Sequence, residues 1–326
     1  MKPFVSFIAG GAGFVGANLI PRLLAEGRVV VVADNMSRGK EEYALRAAAG
    51  SPERVVILQG DCTDADFVEE AFAKARGLGV IDEVWHLAAN SDIPAGVNDA
   101  QVDLKDTFMT TFRLLGAMKL FEVATLHFAS SSAIYGDRGD LVLHENVGPL
   151  LPISNYGAMK LASEAAISAA AESFLDRANI FRFPNVVGVP ATHGVIFDFV
   201  HKLIADPSAL AVLGDGTQQK AYLHAQDLIG AMLIIRDRQT TDRTNIVNIG
   251  PTDEGVTVRW IAEQVVARVS PTAAIHYGKG NKGWVGDVPK FSYSTERLQS
   301  YGWKPALGSA DAIRLAVDQI ATQLGR

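Results

Sequence analysis

At about 150 residues per domain, a chain of 326 residues corresponds to two domains, or to one large domain with an appended lobe. A hydrophobic fraction of 48% with 20% charged residues excludes a disordered, collagenous or coiled-coil chain, and 30 Lys+Arg against 36 Asp+Glu argue against nucleic acid or an anionic membrane surface as the main partner. The single cysteine, Cys62, allows no internal disulfide, the 7 histidines make no zinc spacing, and a reducing cytoplasm is the simplest location.

The N-terminal run resembles a secretory signal, but glycines interrupt it and no cleavage site follows, so it reads as a first strand. No other apolar run reaches the roughly 18 to 20 residues of a membrane span. From Phe4 to about Ile249, short β-branched runs alternate with longer amphipathic ones, the pattern of a parallel sheet covered by helices on both faces. Strands are expected near Phe4–Ala9, Val29–Ala33, Val55–Leu58, Glu83–Leu87, Thr125–Ser130 and Ala178–Phe183. Helices fall near Phe14–Glu26, Ala65–Ala75, Val102–Glu122 and Ser154–Leu175, and Pro21 should bend the first of them. Beyond the sixth strand the sequence is punctuated by Pro and Gly, with helices at Asp198–Ala205, Ala225–Arg236, Val258–Val269 and Ser309–Leu324. The expected organisation is a dinucleotide domain over 1–183, with returning segments near 220–250, and a smaller substrate-binding lobe over 184–326.

Gly10-Gly11-Ala12-Gly13-Phe14-Val15-Gly16 follows the first strand and opens the first helix. Its glycines fall at the tight turn, the backbone approach to a pyrophosphate and the helix–strand contact. This makes the fold class α/β, a Rossmann-type doubly wound parallel sheet. Asp34, followed by Asn35, closes the second strand about 20 residues on, where a carboxylate hydrogen-bonds an adenosine ribose and repels a 2′-phosphate. The expected cofactor is therefore NAD rather than NADP. Arg38 is the counter-signal, since it could pair a phosphate, but it reads first as a solvated loop arginine. Asp61 and Cys62 close the third strand where an adenine would lie, Asp61 being equally a helix cap. His86-Leu87-Ala88-Ala89 ends the fourth with small residues that permit close backbone approach, His86 reading as a buried, satisfied histidine.

Tyr156 and Lys160 are spaced to share one helix face, so a cation stands beside a phenol and stabilises its phenolate, and an oxidised nicotinamide adds further positive potential, which makes Tyr156 a candidate base near neutral pH. Upstream, Ser130-Ser131-Ser132 places hydroxyls at the carboxyl edge of the sheet, where α/β ligands bind.

Taken in order, these motifs resemble the extended short-chain dehydrogenase/reductases, and within them the NAD-dependent nucleotide-sugar 4-epimerases of the UDP-glucose 4-epimerase type. Arg182-Phe183-Pro184-Asn185, Leu213 to Gln218, Tyr222-Leu223-His224 with Asp227, and Gly302 to Pro305 extend the likeness over nearly the whole chain. The resemblance implies that Ser131, Tyr156 and Lys160 are catalytic. It implies a tightly held NAD, and C4 epimerisation of a nucleoside-diphosphate sugar through a 4-keto intermediate. It further implies Ser91, Ser132, Asn185, Lys220 and Trp284 on the substrate, and a homodimer built on the two long helices.

Three departures matter. Ser132-Ala133 stand where 4,6-dehydratases carry Asp-Glu, so no acid–base pair is available for water loss. Thr107 occupies a helix position where many relatives have Asn. Lys220 and Trp284 replace expected arginines, and lysine lacks the bidentate fork. A net oxidoreductase on a related sugar shares every residue named, and a noncatalytic NAD(H)-binding regulator would need none of the three catalytic ones.

Overall fold

In the computed structural model, which describes residues 2–280 and 292–326, seven runs rich in Val, Ile, Leu and Phe form one parallel sheet. We number them β1 (Phe4–Ala9), β2 (Val29–Asp34), β3 (Val55–Gln59), β4 (Val80–His86), β5 (Thr125–Ala129), β6 (Arg177–Arg182) and β7 (Thr244–Asn248). Their spatial order is 7-6-5-4-1-2-3, a doubly wound sheet whose direction of winding reverses at β1. Central strands such as Val-Val-Val-Val-Ala-Asp in β2 are buried almost throughout, as a sheet covered on both faces requires.

The helices of this unit are α1 (Phe14–Ala25), α2 (Glu41–Ala47), α3 (Ala65–Leu78), α4 (Ile93–Asn98), α5 (Ala100–Asp103), α6 (Thr110–Leu120) and α7 (Asn155–Ser173). α1 runs through Pro21 without interruption; the ring sits on the exposed side, where one lost N–H is tolerated. The helix expected over Val102–Glu122 is not continuous. α5 passes into a π-helical stretch, Leu104–Met109, and then into α6. Threonines account for the irregularity: Thr110 Oγ1 donates to the Thr107 carbonyl at 2.9 Å and Thr111 Oγ1 approaches the same carbonyl at 3.3 Å, competing with the helix ladder. β7, α2 and α4 were not anticipated as separate elements. β7 is a short run, Thr-Asn-Ile-Val-Asn, whose strand character comes from its place beside β6.

The chain divides into two compact units. One comprises 1–134, 152–182 and 232–247; the other comprises 135–151, 183–231 and 248–326. The boundary differs from the expected 1–183 with returns near 220–250, because residues 135–151 belong to the second unit. There Val142–Leu143 pairs with Ser292–Tyr293, and the Tyr135 hydroxyl hydrogen-bonds the Asn248 side chain at 2.8 Å. The first unit's core centres on Phe7, Phe72, Leu114, Met118, Phe128 and Ile180. The second unit packs helices Val195–Ala205, Val258–Val269 and Ser309–Gln323 around Phe199, Leu203, Ile261 and Ile313. No helix among the described residues is long and apolar enough to cross a membrane.

Candidate active site

The carboxyl ends of β1, β2 and β4 meet at the glycine turn. Gly10 has φ +78°, and a Cβ there would lie 2.6 Å from the Ala88 nitrogen, so the turn rests directly on the end of β4. A Cβ on Gly16 would lie 2.3 Å from the Gly11 carbonyl oxygen, which fixes the start of α1 against the turn. Gly13 is different. A Cβ there would meet only the Gly10 oxygen, at 3.4 Å, an ordinary contact, so that side of Gly13 at the N-terminus of α1 is not crowded by protein atoms. Asp34 is buried at the end of β2, accepting from Ala12 N–H (3.0 Å) and Met36 N–H (2.8 Å). Burial raises its pKa, and those two hydrogen bonds oppose the rise. Asn35 turns its side chain to Ser37 N–H.

Asp61 accepts from the Thr63 backbone and hydroxyl and pairs Lys105 at 2.9 Å, while the cap of α3 is Asp64, not Asp61. Cys62 is packed in the core, its sulfur 3.9 Å from the Ala33 carbonyl and its thiol pushed up to about 12 by burial and by Asp34 and Asp61. Leu87, Ala88 and Ala89 are half-buried at the end of β4. The Ser91 hydroxyl oxygen is buried with no hydrogen-bond partner among the described residues.

Ser154 caps α7 by accepting from Gly157 N–H at 3.1 Å. A Cβ on Gly157 would lie 2.6 Å from the Ala133 carbonyl oxygen, so α7 presses against the Ser131–Ala133 turn and the Ser131 hydroxyl meets the Tyr156 phenol in a hydrogen bond. Ser131 also accepts from Ala133 N–H, and Ser132 is half-buried beside it. Lys160, one turn along α7, is buried. Its Nζ donates to the Ala129 carbonyl at 2.6 Å and lies 5.8 Å from the Tyr156 ring centroid.

In the chain alone, both groups are dominated by burial. Burial pushes Tyr156 up to about 12 despite its bond to Ser131, and pushes Lys160 down to about 7. Both groups lose solvation, and the loss outweighs what each gains from its neighbours.

Several residues in the site carried no sequence signal read above. Glu164, the next turn of the same α7 face, is held bidentately by Arg182 (2.6 and 3.0 Å) and accepts from Ser130 Oγ. Its spacing from Lys160 was the available clue. Asp103 is buried, its Oδ1 accepting from Asn90 Nδ2 at 2.8 Å, and Asn90 N–H donates to Thr107 Oγ1 at 3.1 Å, so Thr107 serves here as a polar partner for the loop after β4. His86 is only half satisfied: Nε2 bonds Thr111 at 2.7 Å and Nδ1 has no partner among the described residues.

In the second unit, Asn185 is exposed and pairs in register with Tyr222, two residues beyond the half-buried Lys220. His224 anchors to Gln319 at 3.2 Å. Trp284 lies outside the described residues.

Residues 6–250 match the sequence model of the NAD dependent epimerase/dehydratase family. The chain is 30% identical over 320 residues to the UDP-glucose 4-epimerase of Streptomyces lividans, covering 92% of this chain and 91% of that one. It superposes on a crystal structure of a UDP-galactose 4-epimerase with a TM-score of 0.83 at 31% identity, covering 98% of this chain and 99% of that one. The UDP-glucose 4-epimerase of Thermus thermophilus, crystallised with NAD, gives the same TM-score of 0.83 at 28% identity, covering 97% and 98%. With the match spanning all the strands from β1 to β7, the glycine turn and the Tyr156–Lys160 pair, this chain belongs to the NAD-dependent epimerase/dehydratase family.

Proposed function

We propose that this chain catalyses epimerisation at C4 of a nucleoside-diphosphate sugar, with a UDP-hexose as substrate, through a transient 4-keto sugar. One observation carries the reading: Ser131, Tyr156 and Lys160 gather in the unit that also holds a glycine cradle open only at Gly13. The cradle fits a dinucleotide. Gly10 and Gly16 are closed by protein atoms, whereas Gly13 and the α1 N-terminus admit a pyrophosphate, with Asp34 positioned for a ribose diol. Gly10, Gly13, Phe14, Val15, Gly16, Asp34, Asn35, Asp61, Leu87, Ala88 and Ala89, with the backbone of Cys62, form the cofactor-binding set.

Held in this cradle, NAD would supply a reversible hydride acceptor for C4, with no net consumption of cofactor. Tyr156 takes the C4 hydroxyl proton and gives it back to the ketone oxygen on return, while Ser131, hydrogen-bonded to the phenol, also hydrogen-bonds the reacting oxygen. Lys160 keeps donors beyond the one spent on Ala129 for the ribose beside the phenol. Burial raises the phenol pKa, and the positive potential of an oxidised nicotinamide, added to Lys160, would favour the phenolate. Ser132-Ala133 supply no acid–base pair, which opposes dehydration.

Asn185 and Lys220 are assigned to the nucleotide portion of the substrate and Ser91 and Ser132 to its sugar; the protein acts in the cytoplasm as a homodimer. Purified protein given UDP-glucose should yield UDP-galactose with no accumulation of free NADH. Stoichiometric NADH release would make it a net dehydrogenase, and absence of turnover on every nucleotide sugar would favour a binding protein.

A further inference from the structure

The connection between β2 and α2 is stitched onto the glycine turn. Lys40 N–H donates to the Ala12 carbonyl at 3.2 Å, and a Cβ on Gly39 would lie 2.7 Å from the Ala12 carbonyl carbon. Arg38 therefore springs from a backbone fixed beside Asp34, the carboxylate positioned for a ribose diol, where a 2′-phosphate would stand. The other cation of this loop, Lys40, holds its ammonium 5.6 Å from the Tyr43 ring centroid.

Arg38 is already engaged. Its Nη2 donates to Asp92 Oδ2 at 2.6 Å. Asp92 belongs to the connection after β4, and because β1 lies between β2 and β4, the ion pair spans the carboxyl end of β1. Asp92 is itself held in three ways. Its Oδ1 accepts from Ala95 N–H at 3.1 Å as the cap of α4, its N–H donates to Asn90 Oδ1 at 2.8 Å, and its carbonyl accepts from Asn90 Nδ2 at 2.9 Å. The two side chains are 45% and 39% exposed, so their pairing adds little to stability. Its effect lies in where it puts the guanidinium, the group whose fork would otherwise suit a phosphate.

We propose that Asp92 is a specificity-determining residue: by holding Arg38 it withholds the cation a 2′-phosphate would need, so that rejection of NADP is shared between Asp34, which repels the phosphate, and Asp92, which occupies its partner. The proposal rests on the reading of this cradle as an NAD site.

Asp92→Asn tests it cleanly, since an asparagine oxygen still caps α4 while the charge is lost. The full-length wild type, D92N, R38A and the double variant are titrated with NAD and with NADP by calorimetry. D92N should tighten NADP by about tenfold and leave NAD within about twofold, and the gain should vanish in the double variant. Unchanged NADP affinity in D92N overturns the proposal. So does a gain that survives in the double variant, which would mean that removal of a negative charge, not release of Arg38, is responsible. A wild type that binds NAD with D92N failing in either way leaves the NAD reading standing, whereas a wild type that binds neither dinucleotide overturns both.

Discussion

Replacing Lys160 by Met should stabilise the NAD-free protein at acid pH while destroying its activity. Holding an ammonium that ordinarily titrates at 10.5 down to about 7 corresponds to a penalty of about 5 kcal/mol on its charged form. In the unfolded chain Lys160 is protonated up to about pH 10.5, and in the folded chain only up to about 7. The folded state therefore carries the full penalty below pH 7, and the penalty fades as pH rises towards 10.5. Methionine keeps the apolar stem and removes the charge, at the cost of about 1 kcal/mol for the lost bond to Ala129. Glu164 does not become an orphan, because Arg182 retains it. Allowing for relaxation around the buried ammonium, a net gain of about 1–3 kcal/mol at pH 6 is expected, shrinking to nothing by pH 10. Urea unfolding of NAD-free wild type and Lys160→Met at the two pH values reads it. A variant no more stable than wild type at pH 6, or a difference that does not shrink towards pH 10, would refute the claim that desolvation dominates at Lys160.

Tyr156→Phe should cut turnover about 100- to 10,000-fold while NAD stays bound, with Ser131→Ala falling between it and wild type, as followed by sugar interconversion and cofactor content. Gly10→Ala forces a side chain at φ +78° into the end of β4, and should cost about 1–3 kcal/mol and weaken NAD binding, measured by thermal unfolding and titration; unaltered binding would contradict the cradle. Phe112 and Leu120 on α6 are 54% and 59% exposed, and a dimer burying them should appear in sedimentation and be weakened by Phe112→Glu; a concentration-independent monomer would refute it.

Much of the fold is written in local pattern. The glycine spacing from Gly10 to Gly16 identifies a turn between β1 and α1 because each glycine answers a backbone requirement that short-range geometry sets, and α1 and β1 begin where the sequence places them. The i,i+4 spacing of Tyr156 and Lys160 likewise fixes their common helix face, since that depends only on helical pitch. β7 lacks such a signature, being a strand by virtue of pairing with β6, and the π stretch at Leu104–Met109 arises where threonine hydroxyls compete with the ladder.

The chemistry of the site was less accessible to the sequence. It places a cation beside a phenol, but only packing shows that both are buried, which raises the phenol pKa and lowers that of the lysine in the chain alone. Arg38 reads as a solvated loop arginine, with phosphate pairing as the alternative, and only the fold brings Asp92 to it across the end of β1; Glu164 acquires Arg182 only when α7 lies against β6. Spacing along the chain decides which side chains share a face, because helix and strand repeats are local. Which of them lose water, and which charge then compensates, depends on elements distant in sequence, because desolvation and ion pairing are properties of the packed neighbourhood.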